Sequence, residues 1–188
     1  MIRPRLRRAG LLAAAVLLSL AAPAARAAAQ PAAPPAALGT TLVVRRAGGD
    51  SVVLTAAQLG ALPRREVDAT EHGRAAHFAG VPLQDVLRAA GVRSDSLRGA
   101  ALATVLVAEA ADGYRVAFAL GELAPDLGAR AVLVADRRDG APLGPSEGPL
   151  RLIVPGDQRP ARWLRQLRAL VVRAAAPAPP NAAGHGPA

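Results

Sequence analysis

The chain has 188 residues, no cysteine, only four aromatic residues and a formal net charge of +9. The missing thiols exclude disulfides, and they exclude a thiolate for metal binding or nucleophilic attack. The low aromatic content leaves no stacking platform for bases, so we predict no nucleic-acid partner.

The N-terminus has the pattern of an export signal. Four arginines among the first eight residues precede an uncharged run over residues 9–25, and small-residue cleavage sites follow at 25–29. We predict a signal peptide over residues 1–29, a periplasmic or secreted protein, and no stable membrane span after cleavage. An uncleaved anchor is the alternative, and Arg7-Arg8 would permit twin-arginine export. Cleavage leaves 18 arginines against 14 acidic residues, a net charge of only +4.

Composition then divides the rest of the chain. Residues 30–39 are rich in proline and alanine, which predicts a linker. Residues 174–188 are mostly alanine, proline and glycine without periodicity, which predicts a disordered tail. Residues 40–173 remain as one domain, long enough to bury a core.

The domain begins with strand and turn patterns. A β-hairpin is predicted over 41–46 and 51–55, around Ala47-Gly48-Gly49-Asp50, and Thr55 is placed to cap a short helix over 56–62. Strands are predicted next at 65–70 and 75–81, joined by a turn at 71–74.

A helix follows, and then mostly strands. Pro82 suits the first turn of a helix with an apolar stripe over 83–90, and Gly91 suits its left-handed cap. Further strands are predicted at 102–108, 114–120, 131–135, 150–155 and 167–173, with a short helical or irregular link at 121–127. Mostly strands with two short helices, without regular βαβ alternation, predict an α+β fold.

Three motifs occur in a fixed order. Phe78-Ala79-Gly80-Val81-Pro82-Leu83 opens the helix, Asp112-Gly113-Tyr114 opens a strand, and Glu147-Gly148-Pro149-Leu150-Arg151-Leu152-Ile153-Val154-Pro155 precedes Arg162-Trp163. Together they resemble the molybdopterin-binding domain of sulfite-oxidase-type oxidoreductases, and in particular its short exported single-domain members. The resemblance covers roughly residues 42–173. It implies a mixed, β-rich α+β fold, a molybdopterin cofactor and oxidoreductase chemistry.

The resemblance also implies where a ligand would bind. In the family, basic residues near the end of the domain hold the pterin phosphate, and these positions fall at Arg151 and around Arg162. Guanidinium groups chelate phosphate oxygens and stay charged, which agrees with an anionic ligand at these residues. Tyr114 is either a donor in the pocket wall or a core residue with its hydroxyl at the rim. In the alternative interpretation, Arg151 pairs with Glu147 and Arg162 belongs to a solvated surface.

The sequence departs from the family at the metal. The resemblance places the ligating cysteine within residues 67–73, where no soft ligand stands and Thr70 is nearest in position. Glu71, His72 and His77, with Asp68 nearby, could form a harder site, although histidines of a turn and a strand need not converge. We therefore predict no metal held by protein ligands and assign no catalytic residue.

Two functions stay open. One is a molybdopterin-dependent-oxidoreductase-like domain that binds molybdopterin or another small anionic ligand. The other is a catalytically inactive periplasmic module of the same fold that binds a ligand or a protein. A purely structural role in the envelope is a third interpretation.

Overall fold

The computed structural model describes residues 40–174. The predicted signal peptide at 1–29, the linker at 30–39 and the tail after residue 174 lie outside the described residues and stay predictions. Within residues 40–174, no helix is both long and apolar enough to cross a membrane.

The domain is built from ten strands and three short α-helices. The strands are β1 (Thr41–Arg45), β2 (Ser51–Thr55), β3 (Arg65–Glu71), β4 (Arg74–Pro82), β5 (Val105–Ala110), β6 (Arg115–Ala119), β7 (Leu133–Arg138), β8 (Ala141–Pro142), β9 (Arg151–Ile153) and β10 (Leu167–Arg173). The helices are α1 (Ala56–Gly60), α2 (Leu83–Ala89) and α3 (Leu120–Leu123), and 3₁₀ turns occupy Gly99–Ala103 and Pro160–Arg162. This confirms the predicted mixed, strand-rich α+β fold.

The strands form two sheets. The first has the order β2-β1-β10-β5-β6, in which β1 runs parallel to β10 and the other pairs are antiparallel. The second has the order β3-β4-β7-β8, and β9 also pairs with β7. The last strand is therefore the central strand of the first sheet and lies beside the first strand, which ties the two ends of the described domain together.

The helix ends follow the local sequence. Thr55 caps α1, since its hydroxyl accepts from the Gln58 N–H and the Gln58 side chain accepts from the Thr55 N–H. Gly91 lies just after α2 with φ of 76°, the left-handed conformation predicted for it. Pro82 ends β4 and stands at the N-cap of α2, one position before the helical turn expected for it.

Both sheets and α2 share one core. Leu42, Leu106 and Leu170 of the first sheet are fully buried, and they belong to the same apolar cluster as Phe78 of β4 and Leu87 of α2. Alternation along β5 and β6 puts every second side chain into this cluster, as expected for strands with one covered face.

Several predicted boundaries were wrong. The strand expected at 102–108 begins at Val105, because residues 99–103 form a 3₁₀ turn that leaves Leu102 on the surface. The strand expected at 150–155 ends at Ile153, since the Val154 carbonyl accepts from Asp157 N–H and from the Trp163 indole instead of a strand. The strand expected at 131–135 runs over Leu133–Arg138.

The contact between β4 and β7 requires a glycine. A Cβ on Gly80 would lie 2.1 Å from the Val134 carbonyl oxygen and 2.6 Å from Ala135 Cα. The register between these strands also shifts between Ala79 and Gly80. The backbones therefore approach more closely than any side chain at this position allows.

We predict that Gly80→Ala lowers the free energy of unfolding by about 3 kcal/mol, because backbone atoms cannot yield to the added methyl as a flexible side chain would. Urea denaturation measures the change. Gly144→Ala is the matched control, since no atom lies within 4 Å of a Cβ there. Equal stability of the two variants would contradict the close approach of β4 and β7.

Candidate functional site

A cavity of about 1030 Å³ opens where the β3–β4 hairpin, the β5–β6 turn and the segment over residues 155–165 meet. We call this segment the 155–165 segment. Most of the lining residues are polar or charged, and Trp163 is the largest aromatic residue among them. The lining residues are Asp68, Ala69, Thr70, Glu71, His72, Gly73, Ala110, Asp112, Tyr114, Pro155, Asp157, Gln158, Arg159, Pro160, Ala161, Trp163 and Arg165.

The β3–β4 hairpin forms one wall of the cavity. His72 and Gly73 make its two-residue turn, with φ of 50° and 80°, and both residues are exposed. Positive φ at both positions is the type I′ geometry that matches the twist of paired strands. Thr70, the residue nearest to the position expected for a metal-ligating cysteine, lies in this wall and is exposed.

Tyr114 belongs to the opposite wall. Its hydroxyl donates to the Ala161 carbonyl at 2.8 Å, and its backbone N–H donates to Asp112 Oδ1 at 2.9 Å. The side chain is half exposed, so it is a rim residue and not a core residue. Its hydroxyl thereby joins the β5–β6 turn to the 155–165 segment.

Two arginines of the cavity wall were not predicted from the sequence to be binding residues. Arg159 is exposed and has no ion-pair partner among residues 40–174. Arg165 is also exposed, and its nearest carboxylate oxygen is Glu71 Oε1 at 3.6 Å. The sequence signal was the density of arginine around Trp163, but that density does not say which guanidinium faces the cavity.

Arg151 lies beneath the cavity and not in it. The side chain is fully buried, donates to Glu147 at 2.9 Å and forms a short hydrogen bond with Glu71. Its guanidinium carbon lies 5.8 Å from the Phe78 ring centre and 6.0 Å from that of Trp163. Since Glu71 and Trp163 line the cavity, Arg151 holds the floor in place from below.

Glu71 is kept ionised by this arrangement. Its burial alone would raise the pKa of the carboxyl group, but the hydrogen bond and charge of Arg151 outweigh burial, with added attraction from Arg165 and Arg138. The pKa of Glu71 therefore lies below its ordinary value. Arg151 and Arg138 contact Glu147 as well as Glu71. The charges of two carboxylates and two arginines therefore balance next to the cavity floor.

Arg162 is occupied in a second ion-pair network. Its guanidinium makes two hydrogen bonds to Asp157, at 2.8 and 2.7 Å, and a third to Glu122 at 3.3 Å. It also lies over the Phe118 ring at 4.7 Å. Arg130 contacts the same two carboxylates. These contacts attach the 155–165 segment to α3, which fixes the position of the wall that carries Arg159.

The structure thus does not bring the three predicted binding residues together. Tyr114 lines the cavity, whereas Arg151 and Arg162 are absent from its wall because carboxylates already hold both guanidinium groups. The alternative pairing of Arg151 with Glu147 is the one observed. In the cavity, the basic groups are those of Arg159 and Arg165.

The histidines of the hairpin do not converge. His77 lies across from Asp68, with its Nδ1 2.8 Å from the Asp68 carboxylate and its Nε2 3.3 Å from Glu66. The hydrogen bond to Asp68 and the second carboxylate raise the pKa of His77. His72 stands apart at the turn, and no group of three or more metal-ligating side chains forms within the described part of the chain.

These features define a two-sheet α+β domain with a cavity above a buried ion-pair cluster. Two exposed arginines and four carboxylate side chains line this cavity. The sequence matches the family model described as "Oxidoreductase molybdopterin binding domain" over residues 40–178. The chain belongs to that family.

A solved structure has the same fold. It is the sulfane dehydrogenase SoxCD from Paracoccus pantotrophus, which matches with a TM-score of 0.56 and 21% sequence identity. The match covers 72% of this chain but only 38% of the SoxCD chain, so the protein spans well under half of that relative's length. No match to a curated protein was found.

We predict that Arg151→Met destabilises the domain by about 3 kcal/mol, because it removes the main counter-charge of the buried Glu71 carboxylate. It also removes one of the two arginines that contact the partly buried Glu147. Urea denaturation at neutral pH measures the loss. Arg168→Met is the matched control, since Arg168 is exposed and has no ion-pair partner in the described domain. A loss no greater than that of the control would show that the buried cluster contributes nothing to stability.

The lowered pKa of Glu71 predicts a pH dependence. Its ionised pairing stabilises the fold above the ordinary pKa of 4.5, and this contribution is lost as the pH falls through the lower pKa of the folded state. The stability advantage of the natural chain over Glu71→Gln should therefore shrink between about pH 7 and about pH 3. Denaturation at a series of pH values tests this. An advantage that stays constant over this pH range would contradict it.

Proposed function

We propose that the protein is an exported, periplasmic or secreted, ligand-binding domain that holds a small anionic organic ligand in the cavity between the β3–β4 hairpin and the 155–165 segment. One observation carries the proposal: two exposed arginines, Arg159 and Arg165, face a concave site without a carboxylate dedicated to either. Tyr114 keeps the wall role predicted for it, and these arginines take the role predicted for Arg151 and Arg162.

The organic part of molybdopterin fits the residues present. A volume of about 1030 Å³ is at the upper end of the range for small-molecule sites. Guanidinium groups bind phosphate oxygens with directed, charge-assisted hydrogen bonds, which supports the phosphate of a pterin near Arg159 and Arg165. Trp163, which also lines the cavity, offers an aromatic edge to a flat ring system.

The metal part fits less well. In the wall where the family resemblance expects a thiolate, the exposed group is the Thr70 hydroxyl, and a hydroxyl is a poor substitute for a soft sulfur ligand. When bound, a molybdopterin would bring its own dithiolene and the redox chemistry of its metal. The chain's own residues would bind and orient the phosphate, and the Glu71–Arg151 pair would keep the floor rigid.

The second candidate is a catalytically inactive module of the same fold. The Thr70 hydroxyl favours it, because the described residues provide no thiolate to complete a molybdenum centre. In that case, ligand or protein binding at the same cavity would be the whole function. Retention of pterin together with molybdenum, or of pterin alone, separates the two candidates.

We predict that protein purified through its own export route, from a host that makes molybdopterin, retains pterin, and that Arg159→Ala/Arg165→Ala loses it. Each lost charged contact should weaken binding about tenfold or more. Pterin fluorescence after acid oxidation and molybdenum by mass spectrometry measure both components. Arg168→Ala, an exposed arginine outside the cavity, should retain as much pterin as the natural chain.

Two results would overturn the proposal. The first is a natural chain that carries no pterin and shows no saturable binding of a pterin phosphate by calorimetry. The second is equal binding by the double variant and by Arg168→Ala, since the cavity arginines would then have no part in holding the anion.

A further inference from the structure

The free edge of β3 is a feature that the proposed function does not use. β3 pairs with β4 on one side and has no strand on the other among residues 40–174. It is seven residues long and lies at the end of the second sheet. An unpaired strand of this kind presents a row of backbone donors and acceptors to any extended chain that approaches it.

The hydrogen bonds of His77 show which backbone groups of β3 are free. The His77 carbonyl accepts from the Asp139 N–H at 2.7 Å, and the His77 N–H donates to Asp139 Oδ1 at 2.8 Å. Both backbone groups of His77 therefore point away from β3. His77 and its cross-strand partner Asp68 form a non-hydrogen-bonded pair, so the N–H and C=O of Asp68 point to the open edge.

Alternation extends this result along the strand. In an antiparallel pair, hydrogen-bonded and non-hydrogen-bonded positions alternate, so Glu66 and Thr70 share the outward orientation of Asp68. The backbone groups of these three residues have no backbone partner at this edge within the described domain. They are spaced two residues apart, the spacing that one added strand would satisfy.

Two adjacent cavities border β3, and we call them together the groove. Every residue from Asp68 to Gly73 lines the large cavity, and every residue from Arg65 to Val67 lines a second cavity of about 340 Å³. Successive side chains of a strand point to opposite faces, so a lining that includes consecutive residues agrees with a space that runs along the edge. Pro155 lines both cavities, so they lie next to each other.

The charges of the groove favour an acidic occupant. Glu66 and Asp68 border the groove, but both carboxylates contact the His77 imidazole. On the opposite side of the groove, Arg159 has no ion-pair partner in the described region. The guanidinium of Arg165 has one ion-pair contact, to Glu71 at 3.6 Å. The other carboxylates of the groove are those of Glu71, Asp112 and Asp157. Glu71 pairs with Arg151, Asp157 pairs with Arg162, and Asp112 accepts from the Tyr114 N–H, so each of them already has a partner.

From this geometry we propose that β3 binds an extended peptide segment of a partner protein by strand addition, with a carboxylate side chain of the peptide paired to the arginines of the 155–165 segment. Main-chain hydrogen bonds to Glu66, Asp68 and Thr70 supply affinity, and the arginines select for acidic sequences. The inference does not require the pterin of the proposed function, since it depends on backbone groups that a pterin does not need.

The structure supplies a variant that separates strand addition from other binding. Thr70→Pro removes an outward N–H, and the β3–β4 ladder does not use that N–H, so the hairpin keeps its own hydrogen bonds. Val53→Pro is the matched control on β2, the edge strand of the other sheet. Arg46 and Asp50 form a hydrogen-bonded pair, and hydrogen-bonded and non-hydrogen-bonded pairs alternate along β1 and β2 from there. The N–H of Val53 therefore also points away from its partner strand.

The experiment uses the full chain and a displayed library of random eight-residue peptides. We expect enrichment of sequences with acidic residues, and binding of the selected synthetic peptide at least tenfold weaker to Thr70→Pro than to the natural chain or Val53→Pro. Thermal melting and amide spectra confirm that both proline variants are folded. If Thr70→Pro does not fold, N-methylation of successive peptide amides replaces it, and loss of binding at every second position is the expected result.

Amide hydrogen exchange tests directly whether the peptide binds along the edge of β3. The amides of Glu66, Asp68 and Thr70 should exchange fast in the free protein and become protected when peptide is added, while Val67 and Ala69 are protected in both states. The inference is overturned if no peptide is enriched on the natural chain relative to the Thr70→Pro variant. It is also overturned if a peptide binds without protecting the amides of Glu66, Asp68 and Thr70. Protection of the three amides before peptide is added overturns it as well, since another part of the chain would then occupy the edge. Absence of pterin in the earlier experiment leaves this result unaffected.

Discussion

The buried pairing of Arg151 with Glu71 and Glu147 is the interaction on which the site depends. A fully buried guanidinium is costly, and here two carboxylates and two aromatic rings surround it, while its Nε has no hydrogen-bond acceptor within the described residues. The same pairing fixes Glu71 at the end of β3, next to the hairpin turn, and packs against Trp163 of the opposite wall. One buried cation therefore sets the distance between the two sides of the cavity, although it takes no part in lining it.

Much of the fold could be predicted from the sequence because its signals are local. The Thr55–Gln58 capping box, the left-handed Gly91 and the hairpin around residues 47–50 all appear where turn and cap chemistry places them. The boundaries that failed depend on contacts between distant residues. The strand at 150–155 is shortened by the hydrogen bond from the Trp163 indole to the Val154 carbonyl, and no property of residues 150–155 reveals that partner.

The site was harder to predict, for an electrostatic reason. Five arginines lie within residues 151–168, and all have the same chemistry in the sequence. What separates them is the carboxylate each one meets in space: Arg151 meets Glu71 from 80 positions away, and Arg162 meets Glu122 from 40 positions away. Arg159 meets none within the described residues and is left facing the cavity. The resemblance to the family pointed to this part of the chain, but only the fold could assign the individual side chains.

The position of Trp163 has a practical consequence. It is the one tryptophan of the chain, it is 5% exposed, and it sits edge-on to Phe78 with its indole N–H bound to the Val154 carbonyl while part of the ring borders the cavity. The tryptophan fluorescence of the protein consequently reports on one position in the wall of the groove. Entry of any occupant can be followed in the unlabelled natural protein, with no interference from a second indole elsewhere in the chain.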